Sequence, residues 1–202
     1  MQKNIYFSSD HHFGHEGVIK WCNRPFNDVD HMDRVMINNW NSTVMPNDIV
    51  YYLGDISMGK GDYVKNIISQ LNGYKILIIG NHDKKSHTFY LQVGFKAIFN
   101  SATIQVAKHI VTLSHCPLIG VWREDTSHIK NSIDENWHKE SVFSRFSCIN
   151  NGQVHLHGHV HSRPEDRILG QQFDVGVDAN NYTPVSMKTI NQFVQSYYAS
   201  KR

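Results

Sequence analysis

Short runs of β-branched and aromatic residues recur along the chain, each closed by Gly, Asn, Asp or Pro. Runs of this length with such boundaries predict strands, at residues 4–8, 49–53, 75–79, 103–106, 110–113, 153–157 and 173–177. The runs 103–106 and 110–113 alternate about a short polar link at Lys108-His109, which predicts a hairpin. Between strands the apolar period lengthens. From Asp30 to Trp40, one face carries Met32, Val35, Met36 and Trp40. From Asp62 to Leu71, Val64, Ile67, Ile68 and Leu71 fall at the same spacing, with Asp62 as the expected N-cap. A weaker helical pattern runs from Lys84 to Val93. A closing one runs from Val185 to Tyr198, with Met187, Ile190, Phe193 and Val194 as its buried stripe.

Strands alternating with helices predict an α/β layered domain, to which the hairpin and later strands add a mixed or second sheet. Residues 117–151 fit neither period and read as an inserted, lid-like segment of loop and helix. That segment holds Trp122, Arg123, His128, Trp137 and Arg145.

The polar residues that interrupt these patterns cluster just past the strands. Asp10-His11-His12 follows the first, Gly54-Asp55 the second and Gly80-Asn81-His82-Asp83 the third. Ser114-His115-Cys116-Pro117 and Gly158-His159-Val160-His161 follow two later ones. In layered α/β folds ligands collect at the carboxyl ends of strands. If the backbone stays extended, Asp10 and His12 point the same way. Taken singly, Asp10 or Asp55 is a turn or cap residue, Asn81 a turn signal and His115 a hydrogen-bonded histidine. Five donor-bearing motifs in order, each at a strand end, point instead to metal.

The donors are oxygen and nitrogen, a set suited to Mn²⁺, Fe²⁺, Zn²⁺ or Ni²⁺. There are more of them than one cation needs, which suggests two. Two divalent cations at the usual spacing repel by roughly 17–19 kcal/mol at an effective dielectric of about 20. Something negative must lie between them, and Asp55 is the candidate bridging carboxylate, with a hydroxide beside it.

Composition narrows the class. The 202 residues suit one domain, and a net charge of +2 with no basic run longer than two argues against a polymeric nucleic-acid partner. Three scattered cysteines without a Cys-x-x-Cys pair argue for a reducing compartment. No signal-like or membrane-length apolar run occurs, so the expectation is a cytoplasmic protein with no membrane contact. The 14 histidines, most of all those at 11, 12, 15 and at 155, 157, 159 and 161, agree with metal or acid–base chemistry. Arg24, Arg123, Arg145 and Arg163 have the chemistry to clamp a phosphate. Arg24 and Arg123 are taken as the substrate-binding candidates.

With these blocks assembled, the sequence resembles the calcineurin-like metallophosphoesterase superfamily. The family pattern Asp-x-His, Gly-Asp, Gly-Asn-His-Asp/Glu, histidine, Gly-His-x-His runs here in order from Asp10 to His161. The context Phe13-Gly14-His15 and Cys22-Asn23-Arg24-Pro25-Phe26 looks like its small bacterial and bacteriophage members. Asp174 stands where the family's closing strand commonly has Asn.

The resemblance implies two mixed β-sheets packed as a sandwich and flanked by helices. It implies that Asp10, His12 and His161 hold one divalent cation and that Asn81, His115 and His159 hold a second. Asp55 would bridge them, and His82 would be catalytic without being a ligand. The metals, Mn²⁺ first among the candidates, would activate a water between them against a small phosphomonoester or phosphodiester, nucleotide-derived in one form. Asp83 is expected to support its loop. His11, His15, His155 and His157 are expected behind the ligands or at the surface, and Cys116 as a buried thiol. The rival readings are a nuclease acting on DNA or RNA and a catalytically silent interaction scaffold.

Overall fold

Period-two alternation in the first strands sends side chains to two different cores. In β1 (Ile5–Ser8) and β2 (Ile49–Tyr52), Tyr6, Val50 and Tyr52 join one apolar cluster while Phe7 and Tyr51 join another. In β3 (Tyr74–Ile78), Leu77 and Ile78 divide in the same way. A sheet apolar on both faces must be covered twice.

Helices α1 (Glu16–Trp21), α2 (Val29–Thr43), α3 (Gly61–Gln70) and α4 (His87–Gln92) contribute to the first cluster. Met32, Met36 and Trp40 of α2 and Val64, Ile67 and Ile68 of α3 supply it at helical spacing. Each such side chain, fully buried, stabilises by roughly 1.5–3 kcal/mol. The second cluster lies between sheets. Phe7, Leu53 and Ile78 meet Val111, Leu113, Val154, Leu156 and Phe173, joined by Ile190, Phe193 and Val194 of α5 (Met187–Ala199).

The structure is a computed structural model that describes residues 3–118, 146 and 148–202. The first sheet has the order β10-β1-β2-β3-β4, with β4 (Ala97–Phe99) and β10 (Val185–Ser186) at its edges. The second has the order β5-β6-β7-β9-β8. Its strands are β5 (Ser101–Val106), β6 (His109–Ser114), β7 (Val154–His157), β8 (Ile168–Leu169) and β9 (Gln172–Asp174). β1–β4 are mutually parallel and β10 antiparallel; β6, β7 and β9 are parallel, and β5 and β8 antiparallel. Both sheets are therefore mixed, and the α/β sandwich flanked by helices is the expected architecture. A bridge from Ser9 to Gly176 joins the carboxyl ends of β1 and β9, so the outgoing loops of both sheets meet along one edge.

Several elements differ from the periodicity. Helix α3 starts at Gly61 after Lys60, so Asp62 is not its N-cap; it sits in the first turn, where a carboxylate still meets the positive end of the helix dipole. Asp28 caps α2, accepting from His31 N at 2.7 Å, two residues before the expected start. Helix α4 begins only at His87, capped by Ser86, because 84–85 belong to the loop leaving β3. Val185 pairs with Phe7 in the sheet before α5 begins. The strand expected over 173–177 ends at Asp174, whose carboxylate accepts from Gly176 N at 2.7 Å and turns the chain. Most of the segment 117–151, including Trp122, Arg123, His128, Trp137 and Arg145, lies outside the described residues. Among the described residues no helix is long and apolar enough to cross a membrane.

Candidate metal centre

Each chemistry-bearing loop leaves a parallel strand and turns sharply. Asp10, His12, Asp55, His159 and His161 all have positive φ, between 48° and 72°. Such a backbone costs on the order of 1–3 kcal/mol at a residue other than Gly, and it concentrates at functional sites. Asp10 and His12 thus meet through left-handed turns, not through the strand alternation expected from sequence. The turns are pinned by Asp10 N to Gly54 O at 3.0 Å and His12 N to Asp55 O at 3.1 Å.

The glycines of the motifs serve these close approaches. A Cβ on Gly80 would run into Asp55, and one on Gly158 would overlap the Asp10 carboxylate and the Ser9 hydroxyl.

The loops converge on Asp55. Its Oδ2 lies 3.4 Å from His12 Nε2, 3.4 Å from His115 Nε2 and 3.9 Å from His82 Nε2, and its Oδ1 accepts from His82 N at 2.9 Å. Asn81 Oδ1 is 2.9 Å from His115 Nε2. Side-chain donors of Asp10, His12 and His161 lie within 4.8 Å of one another, as do those of Asp10, Asp55 and His115. The rings of His115 and His159 pack edge to face at 4.9 Å, and the Cys116 thiol falls within 4.8 Å of their nitrogens. All seven expected ligands are therefore brought together, with His82 beside them. His82 is the more open, its side chain 38% exposed against 2% for Asp55.

These residues fit metal in two respects. Asp10 Oδ1 and His12 Nε2 are buried without a hydrogen-bond partner, an expensive state for polar atoms that a cation would relieve. The tautomers also suit ligation. His115 Nδ1 lies 2.7 Å from Leu53 O, which can only accept, so Nδ1 carries a proton and Nε2 is the nitrogen turned to Asp55, able to ligate once a cation displaces its own proton. His161 Nδ1 is held at 2.7 Å by Asp178 Oδ2 in the same sense. The donor set fits divalent metal.

The electrostatics show a cluster tuned by its own members. Burial pushes Asp55 up, but the imidazoles of His115, His12 and His82 outweigh it and hold the carboxyl well below its usual range. Burial lowers His115, but the Asp55 and Asp10 carboxylates and the Leu53 carbonyl together outweigh it and raise it to about 9. Burial drives His12 and His159 well down and raises Asp10 to about 6.

A supporting layer lies behind. Asp83 accepts from Asp55 N and Gly80 N, both at 2.9 Å, and from Ile56 N at 3.1 Å, fastening two ligand loops together. Asp174 accepts from Ser162 N at 3.1 Å and holds the loop of His161. Arg24 is no phosphate clamp: it is 4% exposed, and its guanidinium is taken up by Asp178 and by the carbonyls of Asp10 and His11.

Asp178 was not among the expected site residues, although a carboxylate just past the last predicted strand obeys the rule that found the others. His155 and His157 stack at 5.9 Å and are buried; His155 Nε2 meets Ser114 Oγ at 3.1 Å and Cys116 O at 3.2 Å. His11 is buried against Tyr52, Nδ1 to hydroxyl at 2.6 Å. Gly14 turns the chain so that the His15 ring comes within 6.0 Å of His12.

The chain is 30% identical over 200 residues to the uncharacterized protein MJ1445 of Methanocaldococcus jannaschii, covering 96% of this chain and 92% of that protein. It is 31% identical over 197 residues to the gene 66 protein of Mycobacterium phage L5, covering 87% of each. Among solved structures, the protein of unknown function AQ665 from Aquifex aeolicus superimposes with a TM-score of 0.66 at 26% identity, covering 96% of this chain and all of that one. Weaker likenesses, at TM-score 0.39 and 14% identity, are to Yfce, a phosphoesterase from E. coli, and to an archaeal phosphodiesterase. Each spans 86% of this chain, and 78% and 82% of theirs. No family model matches the chain.

Proposed function

We propose, from the centre itself, that this chain, which belongs to the family of MJ1445 and the mycobacteriophage gene 66 proteins, is a metal-dependent phosphoesterase. The observation that carries this reading is Asp55, a buried carboxylate facing three imidazoles, with Asp10 Oδ1 and His12 Nε2 buried beside it without a hydrogen bond. Asp10, His12 and His161 would hold one divalent cation, and Asn81, His115 and His159 a second, with Asp55 between them. Mn²⁺ is the first candidate, followed by Fe²⁺, Zn²⁺ and Ni²⁺. Such a pair supplies a water acidified to near neutrality and positive charge for the phosphate oxygens.

The chain's residues do the rest. Asp55 offsets the repulsion of two cations, and its turn is fixed by Asp83. His82 is the partly open group of the cluster. Burial lowers its pKa, with Asp55 opposing, so the ring is mainly neutral near pH 7. A neutral imidazole there can donate a hydrogen bond to a phosphate oxygen, and its protonated minority can pass a proton to the leaving oxygen. The substrate class is a small phosphomonoester or phosphodiester.

The test is metal analysis followed by assay with p-nitrophenyl phosphate and bis(p-nitrophenyl) phosphate after loading with Mn²⁺. Turnover of either supports the proposal. A protein that carries two equivalents of metal and hydrolyses neither sinks it and leaves the interaction scaffold.

A further inference from the structure

One large apolar side chain next to the centre stands in the open. Trp21, at the end of α1, is 61% exposed and turns an open indole to solvent. Its indole is held in place: it packs edge to face on His15 at 5.1 Å, and the His15 ring lies 6.0 Å from His12. Gly17 is what permits this arrangement. A Cβ there would stand 2.9 Å from the indole Cη2 and 3.2 Å from His15 Nε2, so glycine clears the space in which the two rings meet. One aromatic ring therefore separates an exposed indole from His12 of the centre.

We propose that the Trp21–His15 rim binds a flat heteroaromatic group attached to the phosphate ester, and that the substrates are nucleotide-derived. The proposal rests on the phosphoesterase reading for where the phosphate sits. An indole face stacks on any nucleobase, with little preference among bases, because each presents a π surface. The absence of a long basic run, noted in the sequence, favours a mononucleotide or dinucleotide over a polymer, whose backbone would demand cationic contacts.

The test uses Mn²⁺-loaded protein and two probes that resist hydrolysis: adenosine 5′-methylenephosphonate and its base-free ribose counterpart. The expected result is at least tenfold tighter binding of the adenosine probe, the order of one base–aromatic stack. That margin should vanish in Trp21→Ala and survive in Trp21→Phe, with the ribose probe unchanged throughout. Equal affinity for the two probes in the wild type, or an undiminished margin in Trp21→Ala, overturns the proposal. Hydrolysis of p-nitrophenyl esters is scored separately. A protein that fails that assay but keeps a Trp21-dependent margin has lost the phosphoesterase reading and not the stacking rim.

Discussion

Arg24 and Asp178 form a two-pronged ion pair inside the protein, Nε to Oδ1 at 2.8 Å and Nη2 to Oδ2 at 2.7 Å. The same Asp178 Oδ2 takes His161 Nδ1 at 2.7 Å, and the same guanidinium donates to the carbonyls of His11 at 2.8 Å and Asp10 at 2.7 Å. One pair thereby links the two loops expected to hold one cation. Partners behind metal ligands commonly change affinity 10–100-fold when lost. Asp178→Asn, which keeps the size and one acceptor, should weaken Mn²⁺ binding by about tenfold, read by calorimetric titration. Arg24→Met leaves a buried carboxylate beside His161 alone and should destabilise by about 3–5 kcal/mol. Unaltered Mn²⁺ affinity in Asp178→Asn would show the pair to be structural only.

His82 separates binding from turnover. It contributes a backbone N–H to Asp55 Oδ1 and a partly open ring. His82→Ala preserves the backbone bond. It should therefore keep two equivalents of metal by mass spectrometry while turnover of aryl phosphates falls by about 10²–10⁴-fold. Undiminished turnover removes the ring from the chemistry.

Removal of metal should be felt as lost stability. With Asp10 Oδ1 and His12 Nε2 buried without a hydrogen bond, the metal-free centre is a destabilised one. Mn²⁺ at about 100 times its dissociation constant should stabilise the fold by ~2.7 kcal/mol, and EDTA should reverse it. Asp55→Asn should lose most of that gain, because an amide cannot neutralise two cations. A full rise in Tm with Mn²⁺ in Asp55→Asn would show that Asp55 is no bridge.

The residues that gather around Asp55 were legible because each lies just past a short strand, and because β1–β3 and β6–β7 are parallel, so their carboxyl ends coincide. The elements that escaped were too short to show a period: α1 spans six residues, β4 three and β8 two. Arg24 was misread because an arginine's chemistry is the same on phosphate and on carboxylate. Its choice here is set by Asp178, 154 positions away, which no local pattern announces. The left-handed turns at Asp10 and His12 were equally hidden, since Asp and His carry no mark of positive φ as glycine does.

Acid should weaken the fold through His155. Burial lowers its pKa to about 3, with His157 adding to the effect, against about 6.5 in an unfolded chain. The folded state thus binds fewer protons than the unfolded one between those values. The stability held by neutral His155 is full above about pH 6.5 and is lost progressively as pH falls toward 3. In EDTA, the urea midpoint of His155→Gln should drop less between pH 7 and pH 4.5 than that of the wild type. Parallel drops would assign the acid sensitivity to other groups, His11 first, which burial also lowers to about 3.

Glycine at 158 tests whether the centre depends on backbone proximity as much as on ligand identity. A methyl group there would overlap the Asp10 carboxylate and the Ser9 hydroxyl, and Ser9 Oγ is already committed to Leu53 O at 2.8 Å. Asp10 Oδ2 also takes His159 N at 2.8 Å, so displacing the carboxylate breaks the tie between the first and last ligand loops. Gly158→Ala changes no ligand. It should nevertheless abolish stoichiometric Mn²⁺ binding and lower stability by about 1–3 kcal/mol, the range of an overpacked buried site. Gly170→Ala serves as the control, since a Cβ there meets nothing within 4 Å and only the positive φ is strained. It should leave metal binding intact. If Gly158→Ala binds two equivalents as the wild type does, the loops have more room than this geometry allows, and the dependence of the centre on that glycine is wrong.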